Sequence, residues 1–239
     1  MPIGALIPCR TGSKGIPNKN FKEFYGKPLW HWTLNVAIKS GIFDKIIVSS
    51  DGGLNGDSPV HIHVIEDNNR PSDLSGDNAP LDAVLNYYSL KNPDIELWCL
   101  LQPTSPLRTA KDIERAYKKI NNEKYDSLVS VTPNPAMIWV DKAAGFKGTD
   151  YPLATYHIHK RPNRQDRKDW YMENGAIYFT KKYVLDQMGV RLGGKIVLYV
   201  MPQERSYEID SPLDWLIAEH IMKMRTDGMR KEIKNVLAA

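Results

Sequence analysis

The chain has 239 residues (27.2 kDa), 42% of them hydrophobic and 25% charged, which suits one large folded domain, or one domain with a small extra lobe, and excludes disordered and fibrous classes. Its 32 basic and 28 acidic residues leave a net charge of +4, too small and dispersed to indicate a nucleic-acid partner but compatible with small polyanions. Cys9 and Cys99 cannot frame a disulfide scaffold. With no charged leader before a long apolar run, and no stretch near the ~18 apolar residues of a membrane span, a cytoplasmic protein with buried free thiols and no membrane partner is expected.

The first apolar run, residues 3–7, reads as a buried strand that empties into Pro8-Cys-Arg-Thr-Gly-Ser-Lys-Gly-Ile-Pro-Asn-Lys-Asn20. This loop is built to hold an anion. Gly12 and Gly15 let backbone N–H groups approach an oxygen closely, Arg10 offers a planar fork for phosphate, and Lys14 and Lys19 are mobile point charges. Neither GxxxxGK[ST] nor GxGxxG fits residues 10–15, so the two best-known phosphate loops are excluded.

Pro28 suits a first helical turn, and Leu29, Trp32, Thr33, Val36 and Ala37 recur at helical spacing up to Gly41, a natural helix stop. Residues 45–50 form a β-branched strand ending at Asp51, which completes a right-handed βαβ unit and sets the anion loop at the carboxyl edge of a parallel sheet. Residues 60–65 alternate and read as a short third strand, reached by a connection too short for a crossover helix. A helix starts at Pro80 with Leu81, Val84, Leu85 and Tyr88 on one face, followed by a core strand at 96–101, a helix at 110–121 and a strand at 127–131. This rhythm predicts an α/β fold with a doubly wound, mostly parallel sheet and helices on both faces.

From 132 to 171 the rhythm breaks. Apolar pieces at 137–140 and 156–158 are separated by Gly145, Gly148 and Pro152, and five cations crowd residues 160–168. An inserted lobe at 133–171 is expected, interrupting an α/β domain made of 1–132 and 172–239. Strands at 175–180 and 195–201, a short helix at 181–187 and an amphipathic helix from Pro212, with Leu213, Leu216, Ile217, His220 and Met224 on one stripe, complete the chain.

Four segments flank strand ends: 9–20, 70–78, 102–108 and 206–214. Their polar groups are expected to converge on one cleft. In Gln102-Pro-Thr-Ser-Pro-Leu-Arg108 two prolines freeze the backbone directly after a core strand, a way to hold amide and hydroxyl groups against a base or sugar, although a plain strand-ending turn explains the same residues. The pairs His61/His63 and His157/His159 lack a third ligand at suitable spacing for zinc, and Cys9 has no partnered base that would make it a nucleophile.

Ile7-Pro-x-Arg-x-x-Ser-Lys-Gly15 with Lys19-Asn20, the Arg70-Pro stretch leading to Asp77, Leu101-Gln-Pro-Thr-Ser-Pro-Leu-Arg108, Asn174-Gly-Ala-Ile-Tyr178 and Ile209-Asp-Ser-Pro-Leu-Asp214 together resemble the acylneuraminate cytidylyltransferase family, in the family's order and over nearly the whole chain. The resemblance implies a Rossmann-like fold and a nucleotidyltransferase whose partners are CTP and a 3-deoxy-2-ulosonic sugar acid of the sialic type, yielding the CMP-sugar and pyrophosphate. It also implies a homodimer with shared active sites. Arg10, Gly12, Ser13, Lys14, Gly15, Lys19 and Asn20 would hold the nucleotide with Arg70 and Asp77. Arg10, Lys14, Lys19 and Asp210 would be catalytic. Gln102, Thr104, Ser105, Arg108 and Asn174 would lie toward the sugar, and Arg164 and Gln165 would reach its carboxylate across the dimer.

The cofactor this chemistry implies is Mg2+ (or Mn2+), bound by hard oxygen ligands. Asp210 and Glu208, two apart in an extended segment, can point the same way and supply them, although Asp210 could instead serve the dipole of the following helix. Glu208 stands where many members have aspartate, and Met172 where an arginine is common. Two rivals stay open: transfer to another acceptor such as 3-deoxy-manno-octulosonate, and a non-catalytic CTP-binding protein.

Overall fold

Strand β1 (Ile3–Cys9) lies at the centre of the sheet, and every one of its residues is buried, as expected of a strand covered on both faces. The computed structural model describes residues 1–13, 15–56, 58, 61, 63–76, 79–141 and 152–226. After β1 come β2 (Glu23–Phe24), β3 (Lys27–Pro28), helix α1 (Leu29–Ser40), β4 (Lys45–Ser50), β5 (Val64–Asp67), α2 (Leu81–Lys91), β6 (Leu97–Leu100), α3 (Ala110–Ile120) and β7 (Ser127–Pro133). The second half contributes β8 (Trp139–Val140), β9 (Leu153–Ala154), β10 (Tyr171–Lys181), α4 (Lys182–Met188), β11 (Ile196–Val200) and α5 (Pro212–Thr226).

The main sheet has seven strands in the order β11-β7-β10-β6-β1-β4-β5, and β10 alone runs antiparallel to its neighbours. Helices cover both faces. On one, Trp30, Leu34 and Ala37 of α1 and Ile113, Ala116 and Ile120 of α3 pack with Ala5, Ile7 and Phe179; on the other, Val84, Leu85 and Tyr88 of α2 and Leu185 of α4 pack with Leu6, Leu100 and Tyr178. The mostly parallel, doubly wound α/β sheet read from the sequence is the one observed.

A third apolar cluster positions the site. Trp215, Ala218 and Met222 of α5 meet Ile16 of the anion loop, Phe24, Leu29, Leu107 and Ile209. Each such side chain, fully buried, contributes roughly 1.5–3 kcal/mol, so the C-terminal helix is fastened against the N-terminal loop, and the Lys19–Ile209 contact likewise joins residues 190 positions apart.

Differences from the sequence reading are local. The strand expected at 60–65 runs instead at Val64–Asp67, parallel to β4, while Val60 and Ile62 lie outside the described residues. The described residues between β4 and β5 contain no helix. In residues 133–171, β8 and β9 pair only with each other among the described residues, the expected piece at 156–158 forms a turn, and Trp139 is 55% exposed.

Strand β10 is longer than expected and contains a bulge. It pairs with β7 through Tyr171–Glu173 and again from Tyr178, with a register shift between. Gly175, at φ +63, turns the chain there, a conformation a side chain would resist. The bulge turns three carbonyls away from β7, and each finds a donor in the 102–108 loop. Ser105 Oγ donates to Asn174 O (3.2 Å), Gln102 Nε2 to Gly175 O (3.0 Å), and Arg108 Nη1 to Ala176 O.

Candidate active site

The four segments singled out by sequence meet above the carboxyl ends of β1, β4 and β6. They enclose a cleft of about 280 Å³ whose polar lining includes Arg10, Ser13, Lys19, Asn20, Arg70, Gln102, Thr104, Glu208 and Asp210. Leu74, Leu81, Val84 and Pro103 form its apolar wall. Lys14 and Asp77, also expected here, lie outside the described residues.

The loop after β1 is shaped by contacts the sequence reading did not foresee. Asp51, at the end of the neighbouring strand β4, accepts from Thr11 N (2.8 Å) and Thr11 Oγ1 (3.2 Å), and Asn20 Nδ2 donates to Arg10 O (3.1 Å). The adjacency of β1 and β4 was the available signal for Asp51. Gly15 has a reason other than phosphate approach: a Cβ there would overlap the Asp210 carbonyl oxygen. Gly12 has open space around its missing Cβ.

Arg70 is the least satisfied group in the cleft. It is 7% exposed, and its Nε and Nη2 find no hydrogen-bond partner among the described residues. Burial lowers its pKa, with the Asp51 charge acting in the opposite direction. A buried guanidinium left without bonds costs free energy until an anion arrives. The Asn20 Oδ1 atom is likewise buried and without a partner, ready to accept from a ligand donor.

Across the cleft, Lys19 Nζ donates to Ile209 O (2.6 Å) and to Asp210 Oδ1 (3.2 Å). Asp210 keeps its side chain 73% exposed to the cleft mouth. The helix dipole does not claim it, because Ser211 and Asp214 cap α5: Ser211 N and Asp210 N donate to Asp214 Oδ2 at 2.7 and 3.2 Å, and Asp214 N donates to Ser211 Oγ at 3.3 Å. That Ser-x-x-Asp spacing was legible beforehand.

Glu208 is anchored by Thr104 Oγ1 (3.1 Å), and its carboxyl lies against Gly175, where a Cβ would collide with it. Burial, then the Asp210 charge, pushes its pKa up. Two carboxylates that repel each other beside a cleft fit a divalent cation, which would relieve both effects. Among the described residues no group of three or more His, Cys, Asp or Glu could hold a metal by itself.

Several expected ligand residues sit elsewhere. Arg108 is 1% exposed; besides Ala176 O it donates to Thr33 Oγ1 (2.6 Å) and Gln102 O (3.0 Å), so it braces the bulge and does not line the cleft. Burial lowers its pKa to about 10. Ser105 is also fully buried. Asn174 is a buried hub, accepting from Ser130 Oγ (2.7 Å) and donating to Ser206 Oγ (2.9 Å), with one edge on a second cleft. Gln102 and Thr104 serve both roles, lining the first cleft while bonding Gly175 and Glu208. Arg164 and Gln165 are exposed in the insertion and touch neither cleft.

The second cleft, about 360 Å³, shares Glu208 and Asp210 with the first, so the two form neighbouring chambers with a carboxylate pair between them. A mostly parallel α/β sheet with a cation-lined cleft at its carboxyl edge and such a pair at the mouth is an arrangement suited to a phosphate-bearing ligand.

The comparisons agree. A family model described as cytidylyltransferase matches residues 4–227, and the chain belongs to the cytidylyltransferase family. It is 33% identical over 223 residues to N-acylneuraminate cytidylyltransferase A of Danio rerio, covering 91% of this chain and 50% of that protein. It is 31% identical over 228 residues to N-acylneuraminate cytidylyltransferase of Escherichia coli O18:K1:H7, covering 93% and 52%. The chain thus spans about half the length of the curated relatives it matches. Among solved structures, CMP:2-keto-3-deoxy-manno-octonic acid synthetase complexed with CTP superposes with a TM-score of 0.65 at 15% identity, covering 94% of this chain and 100% of that one, a likeness of fold.

Proposed function

We propose that this protein transfers the cytidylyl group of CTP to a sialic-type 3-deoxy-2-ulosonic acid, releasing pyrophosphate. The observation that carries the reading is Arg70, a buried guanidinium with two nitrogens unpartnered among the described residues, in the same cleft as Arg10, Lys19 and a carboxylate pair. In this reading the triphosphate lies along Arg10, Ser13, Lys19 and Arg70, with Lys14 and Asp77 as further nucleotide contacts, and the base rests on the wall of Leu74, Leu81 and Val84. The acceptor occupies the second chamber.

Its anomeric hydroxyl oxygen forms the new bond to the α-phosphorus while the bond to the pyrophosphate oxygen breaks, and the hydroxyl proton leaves to solvent. Lys19 and Arg70 offset charge on the departing pyrophosphate, and the buried site keeps those interactions strong. Asp210 and Glu208 would hold Mg2+ or Mn2+, which when bound neutralises triphosphate charge and orients the α-phosphate. The reading extends to a homodimer built through the 133–171 lobe, supported by exposed Ile138, Trp139, Ile158 and Tyr171, with Arg164 and Gln165 of that lobe available to a neighbouring site. A cytoplasmic setting is supported by Cys9 and Cys99, both buried and free.

The test is pyrophosphate release from CTP with a panel of 3-deoxy-2-ulosonic acids. Release that requires both a nonulosonic acid and a divalent cation is expected. Turnover only with 3-deoxy-manno-octulosonate would move the acceptor class, and binding of CTP without single-turnover product would overturn the enzymatic reading.

A further inference from the structure

Helix α2 brings Leu81 and Val84 to the apolar wall of the first cleft, yet its own start is weakly fixed. The N-cap, Pro80, makes no side-chain hydrogen bond, so the first turn lacks the anchor that a serine or aspartate would give there. The hold comes from the turn after α4. Asn86 Nδ2 donates to Gly189 O (2.8 Å), and one helical turn earlier Asp82 Oδ1 accepts from both Arg191 N (3.2 Å) and Arg191 Nη1 (3.0 Å). Asp82 and Asn86 are four apart, so these contacts grip one face of α2.

Arg191 is itself held. Thr180 Oγ1 of β10 donates to its carbonyl oxygen (2.6 Å), and its guanidinium lies over the ring of Tyr178, 4.9 Å from the centroid. Its ion pair with Asp82 is largely shielded, the two side chains being 26% and 29% exposed, which sets it apart from a solvated surface pair. Arg191 thus ties the start of α2 to a central strand of the sheet while lining neither chamber.

Resting on the cytidylyl-transfer reading, we propose that Arg191 is a positioning residue for the nucleotide base: through Asp82 it fixes the first turn of α2, and with it the wall of Leu81 and Val84 on which the cytosine ring rests. A gap of about 0.5–1 Å between ring and wall forfeits roughly a quarter to a half of their dispersion attraction. The phosphate contacts do not share this dependence, because Arg10, Lys19 and Arg70 stand on other segments of the chain. Arg191 therefore serves recognition of the base and not of the triphosphate.

The experiment measures Kd by calorimetry for two probes, CTP and inorganic triphosphate, which carries no base. Arg191→Met should weaken CTP about tenfold and leave inorganic triphosphate within about twofold of the wild-type value. Asp82→Ala, a change at the other end of the pair, should do the same. The double variant should be no weaker than either single one, because all three remove one interaction. Equal weakening of both probes, CTP affinity unchanged in both single variants, or losses that add in the double variant overturns the inference. Wild-type protein that does not bind CTP overturns the transfer reading and the inference with it, a result distinct from CTP binding that ignores Arg191.

Discussion

At the scale of single residues, two side chains carry more free-energy cost than their packing explains. Among the described residues two nitrogens of buried Arg70 have no hydrogen bond, so replacing it by a side chain of similar length without charge should not destabilise the fold. Arg70→Met is expected to melt at or above the wild-type temperature while kcat/KM for CTP falls about 100-fold, the loss of one charge-assisted contact to a phosphate. A lower melting point with near-normal kinetics would make Arg70 a structural residue. Glu208 holds its proton longer in the folded chain than in the unfolded one, since burial and then Asp210 raise its pKa. The native state therefore binds more protons than the unfolded state as pH rises through the ordinary carboxylate range, and stability is lost over that window and stays lost above the raised value. Glu208→Gln should consequently raise the melting temperature of the metal-free protein at neutral pH, by an amount that vanishes at acid pH, while abolishing divalent-dependent turnover. Calorimetry across pH checks the sign.

At the scale of elements, the site depends on how the 203–210 segment is held. Asp112, fully buried at the start of α3, accepts from Arg205 Nε (2.9 Å) and Nη2 (2.8 Å) and from Tyr199 OH (3.1 Å), while Thr109 completes the helix cap. Burial alone would raise the Asp112 pKa, but the Arg205 and Thr109 hydrogen bonds outweigh it and hold it low. Arg205→Met strands that carboxylate and should cost about 3 kcal/mol of stability at neutral pH, less as pH falls and the carboxyl can protonate. Urea titration at two pH values reads both effects. The elements themselves were largely legible, because continuous apolar runs such as 97–100 and helical spacing such as 29–37 report burial directly. What was not legible is how loops use their polar groups. Gln102, Ser105 and Arg108 look like ligand residues in one dimension, yet all three answer carbonyls freed by a bulge some 70 residues later, which only the register of β10 exposes. Asp51 escaped notice for the same reason, since its partner Thr11 is 40 positions away.

At the scale of the whole molecule, the insertion is the part whose surface does not suit a lone chain. Its β8 and β9 strands pair only with each other, and Ile138, Trp139 and Ile158 are 45%, 55% and 55% exposed, with Tyr171 and Met172 beside the junction at 37% and 49%. Several exposed large apolar side chains within one segment suit a contact face, and a two-fold partner would cover the same residues on both copies. The second chamber adds a second reason, because its described lining holds Glu173, Glu208, Asp210 and Asp214 with neither lysine nor arginine, while Lys160, Arg161, Arg164, Arg167 and Lys168 line neither chamber of their own chain. Trp139→Lys combined with Ile158→Asp is therefore expected to convert a species of twice 27.2 kDa into one of 27.2 kDa by sedimentation, with circular dichroism and CTP binding retained because no described residue of 133–171 lines the nucleotide chamber. Transfer should fall about 100-fold, since acceptor-facing cations would be withdrawn. A wild-type chain that sediments as a monomer with full turnover would instead mean that each protomer meets the acceptor's carboxylate alone.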